Sequence, residues 1–495
     1  RDCLLSRGLG DVYKRQCYSK AAKQGNVKAQ YNLGLCYMKG NGVTKDLVQA
    51  VEWYERAAEQ GLAEAQYYLG RCYNNGEGVE KDPKKAAMWC EKAAEQGIAV
   101  AQYYLGCCYE DGKGVTKDLA RAAEWYRKAA ESGNVKAQFA LGKCYYYGNG
   151  TEVNYETAAR WIQKAAEQGN ADAQNLLGDC YCYGYGVEPN NEESAKWYEK
   201  AANQGNTKAQ YSLGRCYRNG TGKRKDLAEA VKWYEKAAEG GNADAQNSLG
   251  YCYEVGEGVT EDLAKAAKWY RESAENGNEV AQCNFGLCYE YGKGIKKDLA
   301  EAAVWYDESA EHGYARAQFK IGLFYDKGYG VAQNKEEAAK WYRKAADQGD
   351  ADAQCNLGYC YKKGEGVTKD PVRAAELYRK SAEQGNATAQ YNLGICYEYG
   401  NGVTLLKATA AEWYRKAADQ GDSDAQYKLG VFYENGYGVT QDKEQAMQWY
   451  KKAAEQGNES AKNAIDGMQG GGLGTAVAAG AALGGAALLW KILRG

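Results

Sequence analysis

Apolar residues recur three and four positions apart, stop at glycine, and start again in the same order 36 residues later. A Leu-Gly pair marks the period at Leu33-Gly34, Leu69-Gly70, Leu105-Gly106 and onward to Leu429-Gly430, with Phe285-Gly286 and Ile321-Gly322 as variants. No insertion or deletion disturbs the twelve copies. Within the copy Asn26–Gly61, the pattern predicts a first helix capped by Asn26, with Ala29, Leu33 and Tyr37 on its buried stripe. Gly40-Asn41-Gly42 ends that helix, and Asp46 caps a second. Ala50, Trp53, Tyr54 and Ala57 form the second buried stripe, and Gly61 closes the unit. The second cap is Asp or Asn in every copy except one, where Leu406 stands; that copy is expected to be weaker by roughly 1 kcal/mol.

A helix pair this short buries its apolar faces only against its neighbours. The expected fold is therefore all-α, a right-handed α-solenoid of about 12.5 tandem helix-turn-helix repeats over residues 17–466. Asn458–Asp466 reads as a last first-helix, with Ile465 in the Leu column and Asp466 in place of Gly as a polar cap. Residues 1–16 are set aside. Asp11–Gln16 reads DVYKRQ, which resembles the translation of a transposase-end sequencing adaptor, so an assembly artefact is expected there and the native N-terminus is expected to be missing.

Gln66-x-x-Leu69-Gly70-x-x-Tyr73, then Gly76-x-Gly78-Val79, Ala86, Trp89 and Ala93-Ala94, resembles the Sel1-like repeat, a relative of the tetratricopeptide repeat. The resemblance covers about residues 17–466. It implies an adaptor or scaffold that binds proteins, without naming a partner. Some secreted members pair cysteines within each repeat; the matching positions here are Ala58 and Gln66, so this chain departs from that subgroup.

Composition narrows the functional classes. With 63 basic and 65 acidic residues, the chain lacks the overall field that would coat nucleic acid. Ten of its 17 cysteines form one column from Cys36 to Cys396, where Phe324 and Phe432 stand in the remaining two copies. A position that takes Cys or Phe is an apolar packing position, and reduced thiols are expected. Cys90, Cys107, Cys182, Cys283 and Cys355 carry no spacing signal. Gly-x-Gly loops such as Gly76-Glu77-Gly78 lack the Lys-Ser/Thr of a phosphate loop and read as inter-helix turns. His312, the sole histidine, is expected to contact a helix C-terminus. No constellation breaks the repeat to suggest catalysis, a cofactor or a metal, and a non-enzymatic protein without a small-molecule substrate is expected.

Comparing columns between copies locates the expected binding surface. By analogy with tetratricopeptide geometry, the columns of Tyr67, Arg71 and Asn74 line a concave groove. Candidate partner-binding residues there are Tyr31, Tyr67, Arg71, Tyr103, Lys143, Tyr211, Arg215, Tyr251, Tyr359, Tyr391 and Tyr427. An extended or helical peptide is the expected ligand; the alternative is that these tyrosines only pack against the next repeat.

After Asp466 the composition changes. Gly467–Trp490 spans 24 residues without a charge, followed by Lys491 and Arg494. As a helix it would be about 36 Å long, enough to cross a bilayer. A membrane anchor at 467–490 is the expectation, with repeats facing the cytoplasm; a Gly/Ala extension or an amphipathic end docked on the repeats is the alternative. The function expected is a protein–protein interaction scaffold, tethered by the 467–495 tail. The alternatives are a membrane protein that self-assembles through the tail, and an enzyme with an unrecognised site.

Overall fold

A computed structural model describes residues 2–469, with side chains from residue 10 onward. All described elements are helices, twenty-six of them, and no strand occurs among the described residues. Between the first helix, Asp2–Lys23, and the last, Glu459–Gln469, every helix is 13 residues long. The chain forms two compact units, one up to Asn278 and one from Glu279. Inside each unit, every helix packs against the helices before and after it in sequence. The Leu-Gly copies thus fold as stacked all-α helix pairs. The membrane span expected at 467–490 falls almost wholly outside the described residues. Among those described, no helix is long and apolar enough to cross a membrane.

Caps fix the helix ends as the sequence predicts. The Asn26 side chain accepts from the Ala29 N–H at 2.9 Å, and Asp46 accepts from the Gln49 N–H at 3.0 Å. Gly40 takes φ 75°, and its N–H reaches the Cys36 carbonyl at 2.8 Å, satisfying a carbonyl the helix would otherwise orphan. Leu406 makes no side-chain cap, as expected, and Leu62, Ile98 and Tyr314 lack one at the start of first helices.

Packing explains the Leu-Gly pair. Leu69 and Leu105 are fully buried. The adjacent glycine is the floor on which a second-helix ring rests: a Cβ on Gly34 would lie 2.7 Å from Tyr54, and one on Gly106 2.5 Å from Tyr126. Where the second helix offers Cys90 or Ile162 instead, that side chain takes the same place on Gly70 or Gly142. The column of Tyr54 holds most of the largest fully buried side chains. The second glycine of each turn has another role. A Cβ on Gly78 would lie 2.2 Å from the Leu47 carbonyl, so the turn sits directly on the preceding repeat's second helix.

The tryptophan column differs from expectation. Trp53, Trp197, Trp233 and Trp341 are buried, but Trp89, Trp125, Trp161 and Trp413 are only half-buried. A cation three residues later covers the outer ring face, as Lys128 covers Trp125 at 3.9 Å and Lys200 covers Trp197 at 3.6 Å. The Tyr54 column, rather than the Trp column, therefore carries the deepest packing.

A glutamine ladder adds polar connections. The Gln66 side-chain amide donates to the Ala58 carbonyl at 3.1 Å, so the two positions that carry cysteines in the secreted subgroup do meet. Gln96, at the end of the same repeat's second helix, donates to the Gln66 side-chain oxygen at 2.8 Å. The same pair recurs at Gln30–Gln60, Gln138–Gln168, Gln354–Gln384 and Gln390–Gln420. His312 belongs to this ladder: its Nδ1 lies 2.9 Å from the Gln282 side-chain oxygen, so its partner is a neighbouring side chain as well as the helix end it caps. Ser132 and Gly240 interrupt the ladder, and the Gln102 and Gln210 side-chain oxygens are buried without a partner.

The described cysteines are free thiols, and the column from Cys36 to Cys396 is buried. Burial pushes the Cys72 and Cys180 thiols up to about 12, which removes nucleophilic thiolate at neutral pH and fits the packing role.

Candidate binding surface

The first helix of each repeat buries its Ala, Leu, Gly and Cys columns and leaves most of the Tyr67, Arg71 and Asn74 columns partly uncovered, with Cys283, Cys355 and Leu323 as buried exceptions. The candidate tyrosines lie there with one face committed to the fold. Tyr31 meets Tyr54 at 6.0 Å between ring centroids, and Tyr103, Tyr211, Tyr391 and Tyr427 meet Tyr126, Tyr234, Tyr414 and Tyr450 at 5.8 Å. Tyr67, whose repeat carries Cys90 at that place, packs edge-on against Tyr68 at 5.5 Å. These rings are half-buried, so each supports its repeat while keeping part of its surface uncovered. Burial pushes the Tyr31 hydroxyl up to about 12 and raises Tyr67 and Tyr359 as well, keeping these phenols neutral hydrogen-bonding groups.

The charged candidates differ in their engagement. Arg71 lies over Tyr68 at 4.9 Å and reaches Glu77 at 3.5 Å. Lys143 lies 5.3 Å from the Phe139 ring, and Arg215 5.9 Å from the Tyr211 ring. Tyr251 is 41% exposed, with Arg218 over its ring at 4.9 Å. Half-buried Tyr359 has Lys363 at 5.8 Å.

Two features of this surface escaped the column-by-column reading. First, acids in the Asn74 column are held by second-helix tyrosines. Tyr126 donates to Glu110, Tyr270 to Glu254 at 2.7 Å, Tyr306 to Glu290 at 2.5 Å and Tyr450 to Glu434 at 2.6 Å. Tyr414 likewise donates to Glu398 at 2.5 Å, and two of these acids also hold a lysine of the next repeat: Lys320 reaches Glu290 at 3.3 Å and Lys428 reaches Glu398 at 3.1 Å. The signal lay in the spacing, with tyrosine sixteen residues after each acid and lysine thirty after. In the same column Lys362 has only the Asn392 amide oxygen, at 3.2 Å, and burial lowers its pKa. Second, the fourth and fifth repeats gather tyrosines at the turn end of their first helices, foreshadowed by Tyr145-Tyr146-Tyr147 and Tyr181-Cys182-Tyr183-Gly184-Tyr185. Among the described residues no group of His, Cys, Asp and Glu is arranged to hold a metal ion.

Tiling decides the family. A family model of the Sel1 repeat matches residues 15–26 and then successive windows from 27–62 to 423–458, nearly all of them 36 residues long. The chain belongs to the Sel1-repeat family. Solved Sel1-repeat structures resemble it. One is a protective antigen of uropathogenic Escherichia coli strains displaying an SLR fold, 37% identical, covering 94% of this chain and 99% of its own, at TM-score 0.69. Another is a Sel1 repeat protein from Oxalobacter formigenes, 35% identical, covering 62% of this chain and 90% of its own, at TM-score 0.52. No curated protein matches the sequence. Sel1-repeat proteins are generally protein-interaction scaffolds without catalytic activity.

Proposed function

We propose that this Sel1-repeat chain is a non-enzymatic scaffold that captures a protein partner, as an extended or helical peptide segment, along the first-helix face of its repeats. The observation that carries this reading is the half-committed tyrosine column. Tyr31, Tyr103, Tyr211, Tyr391 and Tyr427 each pack against a second-helix tyrosine and stay half-buried. Such rings supply contact area and a hydrogen-bonding tip at low entropic cost. Selection of a displayed random peptide library on the full chain tests it. Peptides enriched by the chain should lose binding to Tyr67→Ser/Tyr103→Ser/Tyr211→Ser and keep it when second-helix surface residues such as Glu124 and Lys128 are replaced. Binding indifferent to the three tyrosines would overturn the reading.

The uncharged stretch 467–490 supports a tether, with the repeats facing the cytoplasm. Alkaline extraction of membranes from cells expressing the full chain should leave it in the pellet, and a version ending at Asp466 should be released. Release of both would remove the tether from the account.

A further inference from the structure

Two chemistries meet on the first-helix face of the fourth to sixth repeats. Tyr146, in the helix Val135–Tyr147, stands edge-on to Tyr147 at 4.8 Å, to Tyr155 at 5.3 Å and to Tyr185 at 5.6 Å, with ring planes 71–85° apart. Tyr183 joins Tyr185 at 5.8 Å. Rings recruited only for packing would be covered, yet Tyr147 is 58% exposed, Tyr183 56% and Tyr155 41%. Edge-to-face neighbours leave slots between rings, rimmed by hydroxyls that both donate and accept.

The second chemistry is positive charge. Lys143 and Arg215 stand in one column, two repeats apart, and neither forms an ion pair among the described residues. Asp179 stands between them in that column; it is half-buried, accepts the Tyr198 hydroxyl at 2.7 Å, and feels Lys208 and Arg215 as positive charges that work against the desolvation raising its pKa. Desolvation opposes the Arg215 charge, and the Tyr211 and Tyr183 oxygens offset it. In the unit from Glu279, Lys320, Lys428 and Lys335 each hold a carboxylate, while Lys362 meets the Asn392 amide oxygen.

We propose, resting on the peptide-binding reading above, that this patch takes an extended acidic peptide, with carboxylates on Lys143 and Arg215 and proline or aromatic side chains in the tyrosine slots. An extended segment brings unpaired backbone N–H and C=O groups, which the tyrosine hydroxyls meet. A cationic ligand fits poorly, because Lys143 and Arg215 repel it.

Fluorescence anisotropy with two labelled peptides tests the assignment on the full chain, one of alternating Glu and Pro with a central Tyr, the other its Lys-Pro counterpart. The acidic peptide should bind, weakening with added salt and by about tenfold in Arg215→Glu or Lys143→Glu. Tyr147→Ser/Tyr183→Ser, at exposed positions, should weaken it while the circular dichroism spectrum stays unchanged. The Lys-Pro peptide should not bind. Equal binding of the acidic peptide to all variants, or no binding, overturns the assignment. If library-selected peptides still depend on Tyr67, Tyr103 and Tyr211 while the Glu-Pro peptide fails, only this assignment falls; if no peptide depends on them, the underlying reading falls too.

Discussion

In the unit from Glu279, Glu290 and Glu398 each gather a tyrosine hydroxyl from the second helix beneath and a lysine from the next repeat. In the unit up to Asn278, Glu110 and Glu254 each gather a tyrosine hydroxyl, Ala140 stands where a lysine would reach Glu110, and neither Lys143 nor Arg215 forms an ion pair among the described residues. Both units are cut from the same 36-residue pattern of caps and glycine floors, with the ladder broken at Ser132 and Gly240 in the unit up to Asn278. What differs at these positions is whether the acid also holds a lysine of the next repeat; elsewhere both units pair charges between repeats, as Arg218 holds Glu257 at 2.7 Å. An array can thus hold its stack constant while its less buried columns diverge.

Four substitutions probe that contrast. The largest effect is expected from Tyr306→Ala, which empties a fully buried site and removes a donor from Glu290; about 3–5 kcal/mol should be lost in urea unfolding. Glu398→Gln should follow, at roughly 2–3 kcal/mol, because it leaves a mostly covered Lys428 without its carboxylate. Glu110→Gln, with no lysine to strand, should cost only about 1 kcal/mol; equal losses for the two would erase the distinction between units. Ser132→Gln restores a ladder rung by satisfying the buried Gln102 oxygen and should add about 0.5–1 kcal/mol.

The smallest effect is the most specific. Burial lowers the Lys362 pKa, so the folded state pays to hold its charge below that pKa, and the penalty disappears as pH rises toward the ordinary lysine value. Lys362→Met should therefore raise the thermal midpoint near neutral pH, with the gain shrinking in alkaline buffer. A gain that does not vary with pH would assign the effect to packing instead.

The repeat, its caps and its turns were legible because each depends on residues within one 36-residue copy. Asn26, Asp46, Gly40 and Leu33 announce their roles by spacing alone. The relative burial of Trp53 and Tyr54 was not legible, since adjacent residues on one helix share a stripe and only the facing glycine shows which one goes deeper. His312 read as a helix-end residue until its alignment with Gln60 and Gln96 placed it in a ladder. The acid–tyrosine pairs and the Tyr146 cluster were hidden for a related reason: they join different helices or neighbouring repeats, and column-by-column comparison looks only at one position at a time.

Hydrogen exchange of the full chain, with and without a saturating bound peptide, tests the central claim most directly. Protection is expected in the first helices, Val135–Tyr147, Ala171–Tyr183 and Thr207–Asn219 foremost, with the intervening second helices unchanged. Protection confined to second helices such as Tyr155–Glu167 and Asn191–Asn203 would contradict the account.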